Sequence, residues 1–197
     1  MGTAAFVVIA LLVVLALWAV AVYNRLRQLG NRVENAWSQI DVQLKRRYEL
    51  IPNLVEVARG YMQHEASTLE AVTRARSQAM QASGALHNQT RDAPTLAAFS
   101  QAETALAGQL GRLMVVAEAY PALKADAQMQ SLSEEIASTE NRIGFARQAY
   151  NDTILEFNDK ASQFPDLIWA RLLGFAHKDM LQSTANAQER MAPQVRF

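Results

Sequence analysis

Residues 33–65, VENAWSQIDVQLKRRYELIPNLVEVARGYMQHE, decide the fold because they join two helical patterns through one proline. Before the proline, apolar residues recur at steps of three, four and seven, the spacing of one helix face: Leu26, Leu29, Val33, Trp37, Ile40, Leu44 and Ile51. After it, the same spacing continues through Leu54, Val57, Tyr61, Thr68, Val72 and Ala75. Pro52 disfavours a helical conformation of the preceding residue and suits the first turn of a new helix. The stretch therefore predicts two antiparallel helices that meet at Pro52, with Trp37 in the core between them.

An uncharged apolar run, TAAFVVIALLVVLALWAVAV, occupies residues 3–22. As a helix it reaches about 30 Å, enough to cross the hydrocarbon core of a bilayer. A cleaved signal peptide is the alternative, since Ala19-Val20-Ala21 offers the small residues of a cleavage site. The run is long for a signal peptide, no basic residue precedes it, and helical spacing resumes directly after it. We therefore predict a transmembrane anchor over residues 1–23.

Three arginines, Arg25, Arg27 and Arg32, follow the apolar run closely. Basic residues are retained on the cytoplasmic side of a span, so this bias predicts a single-pass protein of the cell (inner) membrane. Its N-terminus would lie outside and its helical domain in the cytoplasm. The same arginines also suit the solvated face of a helix, an alternative that the sequence leaves open.

Two further helical patterns complete the chain. The second helix should end near Ser83-Gly84, and the polar residues 86–94 indicate a loop. Asp92 and Pro94 suit a helix start, and an apolar stripe follows at Leu96, Phe99, Leu106, Leu110, Leu113 and Ala117. The last stripe recurs at intervals of seven: Met129, Ile136, Ile143, Tyr150, Phe157 and Phe164.

These patterns predict an all-α protein: one N-terminal transmembrane helix followed by an up-and-down four-helix bundle over residues 24–164. After the bundle, DLIWARLLGFAHKDM begins at Asp166. An even number of helices returns the chain to the end where it left the membrane, so we predict an amphipathic, membrane-proximal segment over residues 165–176. Its candidate membrane contacts are Trp169, Leu172, Leu173 and Phe175, although the segment could instead seal the end of the bundle. Residues 177–197 are predicted to form a flexible tail.

Ordered motifs along the chain resemble the LemA family of bacterial membrane-anchored proteins. The residues that carry the resemblance are Ala36-Trp37-Ser38-Gln39-Ile40-Asp41, Leu50-Ile51-Pro52-Asn53, Gly60-Tyr61, His64-Glu65, Tyr120-Pro121, Thr139-Glu140-Asn141-Arg142-Ile143, Ala146-Arg147, Tyr150-Asn151, Phe164-Pro165, Gly174-Phe175 and a Pro193-x-Val195-x-Phe197 ending. The resemblance covers nearly the whole chain. It implies an up-and-down four-helix bundle behind one membrane span. It implies little about function, because the family has no agreed biochemical activity.

Composition and motifs argue against nucleic-acid binding, metal binding and catalysis. Lys plus Arg and Asp plus Glu number 19 each, so no broad basic field is present to hold nucleic acid. The chain has no cysteine, and its three histidines, His64, His87 and His177, have no metal-ligand spacing. The eight glycines are scattered, without a phosphate-binding loop or nucleophile elbow. We therefore predict no catalytic, cofactor-binding or metal residues.

Two polar groups are candidate interaction or register positions. Lys45, Arg46 and Arg47 form a compact basic cluster, which suits local ion pairs or a partner-docking patch. Glu140, Asn141 and Arg142 lie beside the stripe of the last helix, where they suit a polar clasp between helices or a ligand site.

The sequence thus favours a non-enzymatic scaffold or adaptor that acts at the lipid bilayer on unknown protein partners or as a homo-oligomer. A ligand-binding sensor or transport accessory, with a small-molecule pocket between the helices, is the alternative hypothesis.

Overall fold

A computed structural model describes residues 2–88 and 91–181, and over those residues the protein is all-helical, as predicted. Six helices follow one another: α1 (Gly2–Tyr61), α2 (Ala66–Asn88), α3 (Ala93–Ala117), α4 (Pro121–Lys124), α5 (Ala127–Ser162) and α6 (Asp166–Leu172). The number of helices differs from the predicted one span plus four bundle helices, and the apolar run continues into the first packed helix within one element. Two short helices, α4 and α6, complete the described elements.

α1 joins the apolar N-terminal run to the packed domain without interruption. Its first part is long and apolar enough to cross a membrane, with a mean hydropathy of 3.1 in its most apolar stretch. The side chains there are exposed, and Phe6, for example, is 74% exposed. From Val22 onward one stripe of α1 is buried. At 1.5 Å per residue, the 60-residue helix is about 90 Å long.

The predicted helix break at Pro52 is wrong, since α1 continues through this residue to Tyr61. A proline has no backbone N–H, so the carbonyl of Tyr48, four residues earlier, loses its helical hydrogen bond. Arg76 of α2 supplies the missing donor: its Nε lies 2.6 Å from the Tyr48 carbonyl oxygen. A contact between two helices thereby satisfies the carbonyl that the proline leaves free.

The turn between α1 and α2 lies at residues 62–65, and α2 extends past the predicted end at Ser83-Gly84 to Asn88. Ser83 and Leu86 are both buried, so the additional helical turn adds packed surface. Gly84 has no positive φ, so the left-handed conformation with which a glycine often ends a helix does not occur here.

The predicted start of α3 is confirmed. The Asp92 side chain caps the helix by accepting the backbone N–H of Thr95 at 3.0 Å, and Pro94 lies in the first turn. The predicted stripe is buried: Leu96, Phe99, Leu106, Leu110, Leu113 and Ala117. One further buried position of α3, Glu103, is charged.

The apolar stripe of α5 is buried over most of its predicted length: Met129, Ile136, Ile143, Tyr150 and Phe157. The prediction is wrong at the end of the stripe, where Phe164 is 81% exposed. α5 ends at Ser162, so Phe164 no longer follows the helical path of the residues before it.

The long helices lie side by side. α1 and α5 are antiparallel, because Arg25 pairs with Glu156 near one end of their contact and Arg46 pairs with Glu135 near the other. α2 returns along α1, and α3 packs against α2.

Trp37 lies in the core, as predicted, and is only 2% exposed. Its ring meets those of Phe99 and Tyr150 edge-to-face, with centroids 5.9 and 5.6 Å apart. These contacts join α1, α3 and α5 at one level. Edge-to-face pairs of buried aromatic rings contribute more than the burial of their area alone.

Candidate functional site

A cluster of charged side chains lies inside the domain between α1, α3 and α5. Arg47 forms ion pairs with Glu103 and Glu140, and Arg147 lies 3.4 Å from Glu103. The Tyr48 hydroxyl donates a hydrogen bond to Glu103 at 2.6 Å. We call these five residues the buried charge cluster.

Burial makes the pair of Arg47 and Glu103 sensitive to the loss of either partner. The side chains of Arg47 and Glu103 are 1% and 2% exposed. Burial opposes the charge of Arg47, but the carboxylates of Glu103 and Glu140 outweigh that effect and raise the pKa of the guanidinium. Burial and then the negative charge of Glu103 raise the pKa of the Tyr48 hydroxyl, which therefore keeps its proton as a donor. The arrangement suits the fixing of helix register, because any slip would leave a buried charge unpaired.

The predicted polar group Glu140, Asn141 and Arg142 is divided by this geometry. All three side chains are exposed, Glu140 by 48%, but Glu140 reaches the buried Arg47 and joins the cluster from its outer edge. On a helix, adjacent residues point about 100° apart, so Asn141 and Arg142 point away from the direction in which Glu140 meets Arg47.

Sequence reasoning missed Tyr48, Glu103 and Arg147 as members of the cluster. A signal existed for Glu103, which stands four residues after Phe99 and three before Leu106, within the apolar stripe of α3. A carboxylate at such a position requires a buried partner.

The basic cluster is also divided. Lys45 is exposed and pairs with Asp41 at 2.8 Å, Arg46 pairs with Glu135, and Arg47 lies inside the domain. The hydrogen bond and charge of Asp41 raise the pKa of Lys45. Only Lys45 and Arg46 are therefore left on the surface that a partner would meet.

The membrane-proximal segment, residues 165–176, lies beside the end of the apolar run. The half-buried ring of Trp169 packs edge-to-face on Trp18, with centroids 6.4 Å apart. The half-buried ring of Phe175 contacts Tyr23 in the same way at 5.7 Å. Two of the predicted membrane contacts thus pack on the part of α1 where the exposed apolar surface ends.

The other two predicted contacts are exposed. Leu172 is 72% exposed, Leu173 and Ile168 are also exposed, and Ala170 faces the domain. The start of the segment is held by Lys160, whose Nζ lies 2.5 Å from the buried Asp166 carboxylate. The membrane-proximal segment is therefore attached to the domain and also exposes apolar side chains.

Residues 177–181, which we assigned to the flexible tail, are attached to α5 through Asn151 and Asn158. The rest of the predicted tail, residues 182–197, lies outside the described residues. Residues 174–179 also form one wall of a cavity of about 670 Å³.

This cavity is bordered by α1, α5 and the end of α2, and both apolar and polar side chains line it. Its lining includes Leu26, Val33, Tyr150 and Phe157 together with Arg27 and Glu34. Glu140, Asn141 and Arg142 do not line it. Among the described residues, no group of three His, Asp or Glu side chains could hold a metal ion.

Residues 36–197 match the family model described as LemA family. The match begins within α1, before Trp37, and includes the helices that follow. The resemblance carried by the ordered motifs is confirmed. No curated protein matches the chain.

Proposed function

The chain belongs to the LemA family, and from that premise we propose that it is a non-enzymatic, single-pass membrane scaffold. It would present its helical domain to protein partners or to further copies of itself. The continuity of α1 supports the proposal most directly, because one helix carries both the exposed apolar run and the buried stripe. A rigid connection of this kind holds a domain at a fixed height above the bilayer.

The presented domain would be an up-and-down four-helix bundle, built from the packed part of α1 with α2, α3 and α5. The antiparallel contact of α1 with α5 and the return of α2 along α1 support this arrangement. The buried charge cluster supports it too, since it connects three of these helices. A bundle with a fixed register gives partners an unchanging surface.

The domain would face the cytoplasm of a cell with the protein in its inner membrane. Arg25, Arg27 and Arg32 are exposed just after the apolar run, in the region where basic residues decide orientation. The chain has no cysteine, so Gln63→Cys in the exposed turn gives one labelling site. We expect a membrane-impermeant maleimide to label it only after the inner membrane is opened. Labelling of intact spheroplasts would place the domain outside.

The membrane-proximal segment would lie in the bilayer interface. The exposed Ile168, Leu172 and Leu173 support this, because apolar side chains next to a span gain by contact with lipid. A polarity-sensitive dye on Leu172→Cys in lipid nanodiscs should report an apolar environment. The matched control is Asn141→Cys, which is exposed on α5. Equal emission from the two positions would mean that the segment only closes the end of the domain.

Self-association tests the scaffold proposal. Two differently tagged full-length copies, expressed together and extracted in a mild detergent, should purify together through either tag. The matched control mixes the same copies only after extraction, so that chance association in micelles is subtracted. If the two copies separate completely, the protein does not self-associate. The scaffold proposal then holds only for other protein partners.

A ligand-binding sensor is the second candidate, and the cavity of about 670 Å³ favours it. Its size falls in the range of small-molecule sites. Gly30→Leu would fill part of the cavity, since a Cβ there meets only the Phe157 ring at 4.0 Å. If the cavity holds a ligand, native mass spectrometry should find an added mass on the gently extracted protein, and Gly30→Leu should remove it. An unliganded protein would exclude this candidate.

A further inference from the structure

Two asparagines of α5 hold the chain's own backbone. Asn158 Nδ2 donates to the Lys178 carbonyl, and Lys178 N–H donates to Asn158 Oδ1, both at 2.9 Å. Asn151 makes the same pair of bonds with Leu181, again at 2.9 Å each. Each side-chain amide therefore satisfies both backbone groups of one residue, as a neighbouring strand would in a sheet.

The spacing of the two contacts is matched. Positions 151 and 158 are separated by about 10 Å along α5, at 1.5 Å per residue. Positions 178 and 181 are separated by about 10 Å when the chain between them is extended. Residues 175–181, which we call the strap, form no helix and run antiparallel to α5. The asparagine pair thus binds an extended peptide in one register.

Two side chains add sequence preference to this backbone contact. The Lys178 ammonium lies 5.3 Å from the centre of the Phe157 ring, a cation–π geometry. Leu181 is buried. A segment that fits the site therefore carries a basic residue and, three positions later, an aliphatic one.

We propose that the asparagine pair binds the strap of a second copy of this chain, so that two copies associate by exchanging straps. This inference rests on the proposed self-association and specifies the contact between the two copies. The strap follows Gly174, whose φ of +75° is the left-handed conformation that glycine adopts readily. Ala176, His177, Asp179 and Met180 of the strap are exposed, so exchange would transfer three packed side chains, those of Phe175, Lys178 and Leu181.

A second copy is the occupant that the structure favours. Its strap has the sequence seen in the site, and its span fixes that strap at the same height above the bilayer. Anchoring in one membrane also raises the effective concentration of one copy near the other. Reciprocal exchange would close a two-fold symmetric dimer.

Complementation between two full-length variants tests the exchange. Copy A carries Lys178→Pro and Leu181→Pro, which remove the two backbone N–H donors of the strap. Copy B carries Asn151→Leu and Asn158→Leu, which remove the asparagine pair. We expect each copy alone to lose at least about tenfold in self-association, because each strap contact loses two hydrogen bonds in copy A and all four in copy B. The A–B mixture should regain association, since A retains the asparagines and B retains the strap.

The outcomes separate this inference from the proposed function. If the unmodified chain self-associates and either A or B alone does so equally well, the contact lies elsewhere, and the scaffold proposal stands without strap exchange. A mixture that fails to regain association also overturns the exchange. If the unmodified chain does not self-associate, both exchange and homo-oligomerisation are excluded.

A second experiment measures peptide binding and does not depend on Asn158→Leu, which changes the buried end of the site. The probe is a synthetic peptide of residues 174–181, GFAHKDML, added to copy A in detergent micelles. It should bind at least about tenfold more weakly when copy A also carries Asn151→Leu, a half-buried position, whereas Asn141→Leu should have no effect. Equal binding to all three proteins would overturn the assignment of the site.

Discussion

The two parts of α1 share one continuous helical backbone and have opposite surroundings. Over residues 2–17 every side chain is exposed, apolar ones included. Over residues 22–61 one stripe is buried and the opposite faces carry Arg, Glu and Gln side chains. A helix satisfies its own backbone hydrogen bonds in lipid and in water alike, so the arrangement of side chains alone decides which medium each part suits.

The membrane-proximal segment contacts α1 at the position where the exposed part and the packed part join. Trp18 and Tyr23 belong to that junction, and both meet aromatic rings of the segment. Aromatic rings favour the headgroup level of a bilayer. The boundary between the two surroundings is thus marked by contacts from two distant parts of the chain.

The largest effect should come from charging the exposed apolar part. Leu12→Lys with Leu15→Lys places two charges in the bilayer core, each at a cost of about 2.5–3.5 kcal/mol. We expect the protein to lose membrane integration, measured as resistance to alkaline extraction. Leu12→Ala with Leu15→Ala, the matched control, should remain in the membrane. If the lysine variant stays integral, residues 2–21 do not cross the bilayer.

Removing the core indole tests the other part of α1. Trp37→Ala should lower the free energy of unfolding by about 3–5 kcal/mol, because it leaves a cavity between three helices. Denaturant unfolding of the full chain in detergent measures the loss. Trp18→Ala, a half-buried position at the junction, is the control and should cost less than Trp37→Ala. Equal losses would contradict the difference between the two parts.

The buried charge cluster should be nearly as sensitive. Glu103→Leu leaves Arg147 and part of Arg47 without a counter-charge, so we expect a loss of about 3 kcal/mol. Adding Arg47→Met should recover some of it, since an apolar group then replaces the buried charge. Asn141→Ala, on the exposed face of α5, should change the stability by less than about 0.5 kcal/mol. A fully tolerated Glu103→Leu would show that the cluster does not fix the helices.

The smallest effect concerns the proline inside α1. Arg76→Ala removes the donor to the Tyr48 carbonyl and should cost about 1–2 kcal/mol. Pro52→Ala restores a backbone N–H for that carbonyl, so the cost of Arg76→Ala should shrink in its presence. A double-mutant cycle measures the difference. Additive effects would mean that Arg76 contributes independently of the proline.

Periodicity predicted the all-α class, the apolar run, the stripes of α3 and α5 and the burial of Trp37, because those features depend on local spacing. It placed the first turn wrongly, because the contact that satisfies the carbonyl left free by Pro52 comes from Arg76, a distant residue. The same limit applies to Glu103: its position in an apolar stripe is visible in the sequence, whereas its partners Arg47 and Arg147 come from two other helices.

The asparagine contacts with residues 178 and 181 were also beyond sequence reasoning. A polar stretch near the end of a chain is typical of a flexible tail, and backbone recognition by Asn151 and Asn158 leaves no pattern in the strap itself. Side chains that bind backbone groups can be found only once the path of the chain is known.

The composition of the complex that the full chain forms in its native membrane tests the scaffold proposal most directly. Crosslinking before mild extraction, followed by mass measurement, gives the number of copies and the identity of any partner. The account predicts two or more copies, or a protein partner in fixed ratio, and loss of that complex in Leu12→Lys with Leu15→Lys. A strictly monomeric chain without a co-purifying protein would contradict it.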